Sequence, residues 1–239
     1  MQVTYIGHSG FLVETEEACL LFDYYYGEIP KLKEGSRLYV FVSHKHEDHF
    51  NPEIFKLADC YDTTFFLAYD IKLNPYGMRK YNISEKCREN IISLRFGEDI
   101  ESDGLRIRTY HSTDSGVAYL VTIQGKHIFH AGDHNWWHWE GAGKSYNNNM
   151  AANYKKEICS LAQAEKRIDV AFVPLDPRLG ESYYYGLKYF CENINATAIF
   201  PMHFGEEYDC QEHFVRDYGY GEQIVKIQYA GQKFLLSHK

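Results

Sequence analysis

The sequence predicts an α/β fold in which two β-sheets carry helices on their outer sides. Three observations predict it. Short β-prone runs cluster in both halves of the chain, helix-patterned segments follow each cluster, and a histidine-rich hexapeptide sits where a strand gives way to a helix. With 239 residues, 45 % apolar and 24 % charged, the chain is long enough for one large core, and no composition break divides it. A single domain over residues 1–239 is therefore expected.

Taken in order, residues 3–6, 11–14, 19–22 and 38–42 alternate β-prone stretches with turns. Asn51-Pro52 then signals a helix start, with Asn51 as cap and Pro52 at the first helical position, running through 54–59. Strands are expected at 64–69, 91–94, 98–102 and 105–110, with a short helix at 84–90 and a hairpin of 117–123 and 127–130 around Gln124-Gly125-Lys126. Residues 135–153 lack periodicity and hold Trp136-Trp137-His138-Trp139, the pattern of a long functional loop. Helices at 154–167, 187–194 and 211–217 are interleaved with strands at 170–174 and 197–200, and strands at 224–228 and 233–236 end the pattern.

Composition excludes several classes of function. The formal charge is −8 and the basic residues are scattered, so no footprint for a nucleic-acid backbone is present. No apolar run is long enough to span a bilayer. Cys19, Cys60, Cys87, Cys159, Cys191 and Cys210 lie far apart with no Cys-x-x-Cys pair, and the start lacks a secretory pattern, so a cytoplasmic protein with reduced thiols is expected. The partner that remains is a small molecule.

Chemistry is concentrated at His44-Lys-His46-Glu-Asp48-His49, three imidazoles and a carboxylate within six positions, directly after the apolar run 38–42. In an extended segment His44 and His46 point the same way, while Asp48 and His49 can face a second point a few ångströms off. Chance would produce this pattern in about one or two chains per thousand. Two metal ions require further donors, and three candidates each follow a predicted strand: His111, Asp133 and His203.

With these residues in that order, the chain resembles the metallo-β-lactamase superfamily, whose signature is His-x-His-x-Asp-His followed by a distant His, an Asp and a final His. More narrowly, Tyr5-Ile-Gly-His-Ser-Gly-Phe-Leu-Val-Glu14, Gly132-Asp133 and Pro201-Met-His-Phe204 resemble the branch of metal-dependent hydrolases that contains ascorbate-6-phosphate lactonase. The resemblance spans residues 3 to about 204. It implies a four-layer αβ/βα sandwich of the metallo-β-lactamase type, with His44, His46 and His111 on one metal, Asp48, His49 and His203 on the second, and Asp133 bridging them. Asp23 matches an acidic residue that supports the site from behind. Where the family commonly carries a small hydroxyl residue after the Asp, this chain has His134-Asn135-Trp136-Trp137-His138-Trp139.

The implied activity is hydrolysis of a small ester, lactone or phosphodiester by a hydroxide held between two divalent ions, with Asp48 and Asp133 as the catalytic carboxylates. Zn²⁺ is the first choice for a nitrogen-rich set, with Mn²⁺ or Fe²⁺ as alternatives. A metal-binding protein of the same fold without turnover, and further off a di-iron redox protein, are the competing readings. His134, Trp136 and Arg178 are candidate substrate contacts, Arg178 because its guanidinium suits an anionic group, with Asp176 as an alternative partner for it. His127 and His130, on a predicted strand, read as packing residues, and His8 as a core or turn histidine.

Overall fold

The computed structural model describes residues 1–236. It divides the chain into two compact units, one of Met1–Arg95 with the chain from Tyr229 onward, the other of Phe96–Gln228.

The first unit is built on a seven-stranded sheet of β1 (Gln2–Gly7), β2 (Gly10–Glu14), β3 (Ala18–Phe22), β4 (Arg37–Val42), β5 (Asp62–Ala68), β6 (Ile91–Leu94) and β13 (Lys233–Leu235), in the order β13-β1-β2-β3-β4-β5-β6. Strands β3 to β6 run parallel; β3, β4 and the Phe65–Ala68 end of β5 are nearly unbroken apolar runs because both faces are buried there, while β6 at the sheet edge is only partly buried. One face carries a stacked ladder of Phe22, Phe41 and Phe66, with ring centroids 4.8 and 4.9 Å apart. The other face, including Leu21, Val40 and Phe65, packs against Phe50, Ile54, Phe55 and Ile83. The segment after Asn51 is a 3₁₀ helix, Pro52–Asp59, started by the Asn51 side chain accepting from the Glu53 N–H. Two short helices follow, α1 (Pro75–Lys80) and α2 (Glu85–Glu89), capped by Asn74 and Ser84.

The second unit holds a six-stranded sheet of β7 (Asp99–Ser102), β8 (Leu105–His111), β9 (Val117–Ile123), β10 (Lys126–His130), β11 (Ile168–Pro174) and β12 (Ala196–Met202), in the order β12-β11-β10-β9-β8-β7. Strands β7 to β10 form an antiparallel meander, whereas β10, β11 and β12 are parallel. Helices α3 (Lys144–Ala164), α4 (Tyr185–Asn193) and α5 (Cys210–Tyr218) complete it. Parallel strands place the turns after β10, β11 and β12 on one edge of the sheet, the edge at which α/β proteins build their sites.

Three elements differ from the sequence reading. The aperiodic stretch 135–153 is half helix, because α3 starts at Lys144; the Asn147 side chain bonds both the N–H and the C=O of Trp139, a tertiary anchor that local propensity does not encode. Helix α1, only six residues long, is too short to give a periodic signal in the sequence. The strand expected at 224–228 is reduced to a single bridge between Ile224 and Ile199, since the backbone N–H and C=O of Ile227 are both taken by the Gln211 side chain of α5.

Candidate metal centre

In the first unit the hexapeptide leaves β4 through Ser43, and Asp23 leaves the adjacent parallel strand β3. The carboxylate of Asp23, buried at 1 % exposure, accepts from the Ser43 N–H at 2.7 Å, the Ser43 hydroxyl at 2.6 Å and His49 Nδ1 at 2.7 Å. Ser43 Oγ, donating to Asp23, lies 2.9 Å from His44 Nδ1 and is left to accept from it. This network puts a hydrogen on Nδ1 of both His44 and His49 and turns the lone pair of each Nε2 outward.

His44 Nε2 and His46 Nδ1 are 3.0 Å apart. A tetrahedral zinc with Zn–N bonds near 2.0–2.1 Å has ligand–ligand edges of about 3.3 Å, so this pair is spaced as two corners of such a polyhedron. The rings of His44 and His49 pack at 4.2 Å. His8, which the sequence reading assigned to packing or a turn, lies beside them: its Nε2 is 3.3 Å from Asp48 Oδ2, and one donor atom from each of His8, Asp48 and His49 falls within 4.8 Å of the others.

In the second unit Asp133 follows β10, Asp176 follows β11 and His203 follows β12. His203 Nε2 stands 3.3 Å from Asp133 Oδ1, and its Nδ1 is 3.0 Å from Oδ2 of the fully buried Asp176. Arg178 grips both oxygens of Asp176, with Nε at 2.9 and 3.0 Å and Nη2 at 2.6 Å. Burial pushes the Asp176 carboxyl upward, but the bonds from His203 and Arg178 outweigh it and hold the group below the ordinary carboxylate value. The arrangement repeats that of Asp23 and His49. A buried carboxylate fixes Nδ1 and presents Nε2.

Backbone strain marks the same places. His8, Asp23 and His203 all have positive φ, at 54°, 39° and 66°, a region that side-chain-bearing residues avoid unless the surroundings hold them there.

The structure separates the remaining expected residues. His111 ends β8 with its side chain exposed and its ring 4.6 Å from Phe96. Asp114, three residues on, instead offers an oxygen within 4.8 Å of one from Asp133. His134 is 1 % exposed, packed on the Tyr154 ring at 4.7 Å, and burial, aided by the charge of His111, pushes its pKa down to about 3. Trp136 lies under the Lys155 ammonium, 4.1 Å from its ring centre. The indole beside His203 is Trp137, at 5.7 Å, with Trp139 stacked on it at 6.2 Å; Trp137 Nε1 donates to the Asp133 carbonyl at 2.9 Å. Arg178 keeps its side chain 61 % exposed.

The donor set fits divalent cations. Imidazoles with Nδ1 tied back to buried carboxylates or a hydroxyl, set among carboxylates, are the chemistry of catalytic zinc and manganese sites. A fold of two mixed sheets, with these donors at the ends of parallel strands, defines a metallohydrolase-type protein.

The comparisons agree. The sequence profile of the Beta-lactamase superfamily domain matches residues 2–203, and the chain belongs to that superfamily. A UPF0173 metal-dependent hydrolase of Korarchaeum cryptofilum is 28 % identical over 251 aligned positions, covering 95 % of this chain and 96 % of the relative, and one of Bacillus velezensis is 26 % identical over 222, covering 85 % of each. Among solved structures, Igni18, a metallo hydrolase of Ignicoccus hospitalis, superposes with a TM-score of 0.65 at 17 % identity, covering 100 % of this chain and 99 % of its own. The isothiocyanate hydrolase of Delia radicum gut bacteria gives 0.63 at 16 %, covering 100 % of both chains. The narrower likeness to an ascorbate-6-phosphate lactonase branch finds no counterpart among these relatives.

Proposed function

We propose that this protein is a dinuclear metal-dependent hydrolase acting on a small ester, lactone or phosphodiester. One observation carries the reading: two candidate ligands that follow different strands, His49 after β4 and His203 after β12, each have Nδ1 bonded to a buried carboxylate, at 2.7 Å from Asp23 and 3.0 Å from Asp176. Packing histidines do not require such an arrangement, whereas ligands do. His44, His46 and Asp133 would hold one ion, with a further donor from the chain between β8 and β9. Asp48, His49 and His203 would hold the other, with Asp133 shared.

Bound there, divalent ions lower the pKa of a coordinated water toward neutrality and draw charge from the bond to be broken, with Zn²⁺ the first choice on nitrogen content. The chain's own residues do the rest. Asp48 would orient the attacking water and accept its proton, and Asp133 would be shared by both ions. His203, locked by Asp176, keeps one ring orientation throughout. The exposed guanidinium of Arg178, held rigid by Asp176, would receive an anionic group on the substrate, and Trp137 with Trp139 would wall the side next to His203. The wide spacing of the six cysteines, with no Cys-x-x-Cys pair, supports a cytoplasmic setting.

The test is purification with Zn²⁺ or Mn²⁺, followed by assay against generic esters, lactones and bis-para-nitrophenyl phosphate. Activity that is lost on chelation, restored by metal and abolished by His46→Ala is expected. Turnover that survives His46→Ala would contradict the reading.

A further inference from the structure

The order of residues in the family assigns a ligand to His111. The geometry points to its near neighbour instead: we propose that Asp114, not His111, is the side chain that the β8–β9 connection contributes to the metal centre. This rests on the dinuclear reading above.

Strand β8 pairs with β9 to its last residue, His111 opposite Val117. The exposed His111 ring packs edge-on against Phe96, and its backbone N–H donates to Glu157 Oε2 of α3 at 3.3 Å. His111 also lines a cleft of about 720 Å³ together with Phe96, Arg108, Lys156 and Glu157, residues of the meander and α3. Exposure does not separate it from Asp114, which is exposed as well; the neighbours to which each is tied do.

The five residues that follow, Ser112 to Gly116, are tied in a different direction. Thr113, only 7 % exposed, donates from its hydroxyl to the Asn135 carbonyl at 2.7 Å and accepts from the Asn135 N–H at 3.0 Å. Two bonds through one buried hydroxyl join this connection to the turn that carries Asp133. Ser112 Oγ accepts from the Asp114 N–H at 3.2 Å and sets the next residue's direction. The outcome is that carboxylate oxygens of Asp114 and Asp133 lie within 4.8 Å of each other, while Asp133 also meets His203 at 3.3 Å. Two carboxylates at this spacing repel each other unless a proton or cation intervenes, and a cation also suits the imidazole alongside. Replacing an imidazole by a carboxylate makes the donor set harder, which raises the standing of Mn²⁺ and Fe²⁺ against Zn²⁺.

The experiment measures metal, not turnover. Wild type, Asp114→Ala, Asp114→Asn, His111→Ala and His46→Ala are stripped with chelator, reloaded with Mn²⁺ or Zn²⁺, desalted and analysed for metal per chain, with circular dichroism of the stripped forms verifying that each is folded. The expected result is a loss of about one equivalent in both Asp114 variants and none in His111→Ala. Loss of metal in His111→Ala, or full retention in the folded Asp114→Asn protein, overturns the proposal. Retention in His46→Ala would instead bring down the dinuclear reading itself, so the two failures are told apart. Co²⁺ loading adds a spectroscopic check: the visible bands of the bound ion should change with Asp114→Asn and stay constant with His111→Ala.

Discussion

At Asp23 and Asp176 a buried carboxylate takes the Nδ1 hydrogen of an adjacent histidine, and each is held ready by another group: Ser43 donates twice to Asp23, and Arg178 clamps Asp176. Removing the charge while keeping the shape isolates that contribution. Asp176→Asn is expected to weaken metal binding about 10–100-fold, read by competition with a chromophoric chelator. An unchanged affinity would show that Asp176 serves Arg178 alone. A second prediction concerns the thiols. Burial pushes Cys19 up to about 11 and Cys191 and Cys210 up to about 12, so in the native protein they stay protonated and shielded. Alkylation at pH 8 should mark the exposed Cys60 and Cys159, and all six only after denaturation. Because the folded values lie above the ordinary 9.0, the unfolded chain sheds these protons first. Their stabilising contribution is complete below about pH 9 and drains away as pH rises toward 12. Chemical denaturation at pH 8 and pH 10.5 should show a lower midpoint at the higher pH, and equal midpoints would contradict this.

Among the elements, the loop from Asp133 to Gly143 depends most on non-local bonds. Asn147 of α3 pins Trp139 from both sides of its peptide, and Asn135 lies so close to Gly186 of α4 that a Cβ there would meet Asn135 Oδ1 at 1.8 Å. Gly186→Ala must therefore displace the Asn135 side chain, and with it the bond that Asn135 Oδ1 accepts from the Trp136 N–H at 2.8 Å. A loss of about 1–3 kcal/mol is expected, seen as a fall in Tm together with a changed near-ultraviolet signal from the tryptophans. An unchanged Tm would show that the loop adjusts freely. These bonds also explain which parts of the candidate site were legible in the sequence. The hexapeptide, Asp133 and His203 could be read because each stands at the end of a strand that its own apolar pattern reveals. Asp114 and His8 could not: Asp114 is placed by a contact between Thr113 and Asn135, 22 positions apart, and His8 by a left-handed turn at φ 54°. The bond between Asp176 and His203 bridges 27 positions and leaves no local pattern either. The start of α3 was hidden for the same reason, its polar Asn147–Asn149 run making sense only once Asn147 is seen on Trp139.

For the molecule as a whole, the layout follows from two mixed sheets whose parallel strands deliver polar turns to one edge each, while the buried apolar runs behind them supply the rigidity that holds the strained His8, Asp23 and His203 in place. Ions bound by the folded chain and not by the unfolded one must then stabilise it. At metal concentrations 1,000 times Kd the gain is about 4 kcal/mol per site, and chelation should lower Tm by roughly 2–4 °C for each kcal/mol removed. A melting curve indifferent to chelator would leave the donor atoms without their proposed purpose. His44, His46, Asp48, His49, Asp133 and His203 are proposed to hold a pair of ions together. Metal analysis of the protein purified without added chelator tests this most directly. About two tightly bound transition-metal ions per chain are expected, falling by about one in His46→Ala. Fewer than about one ion in the folded wild type, or the same content in the variant, would contradict it.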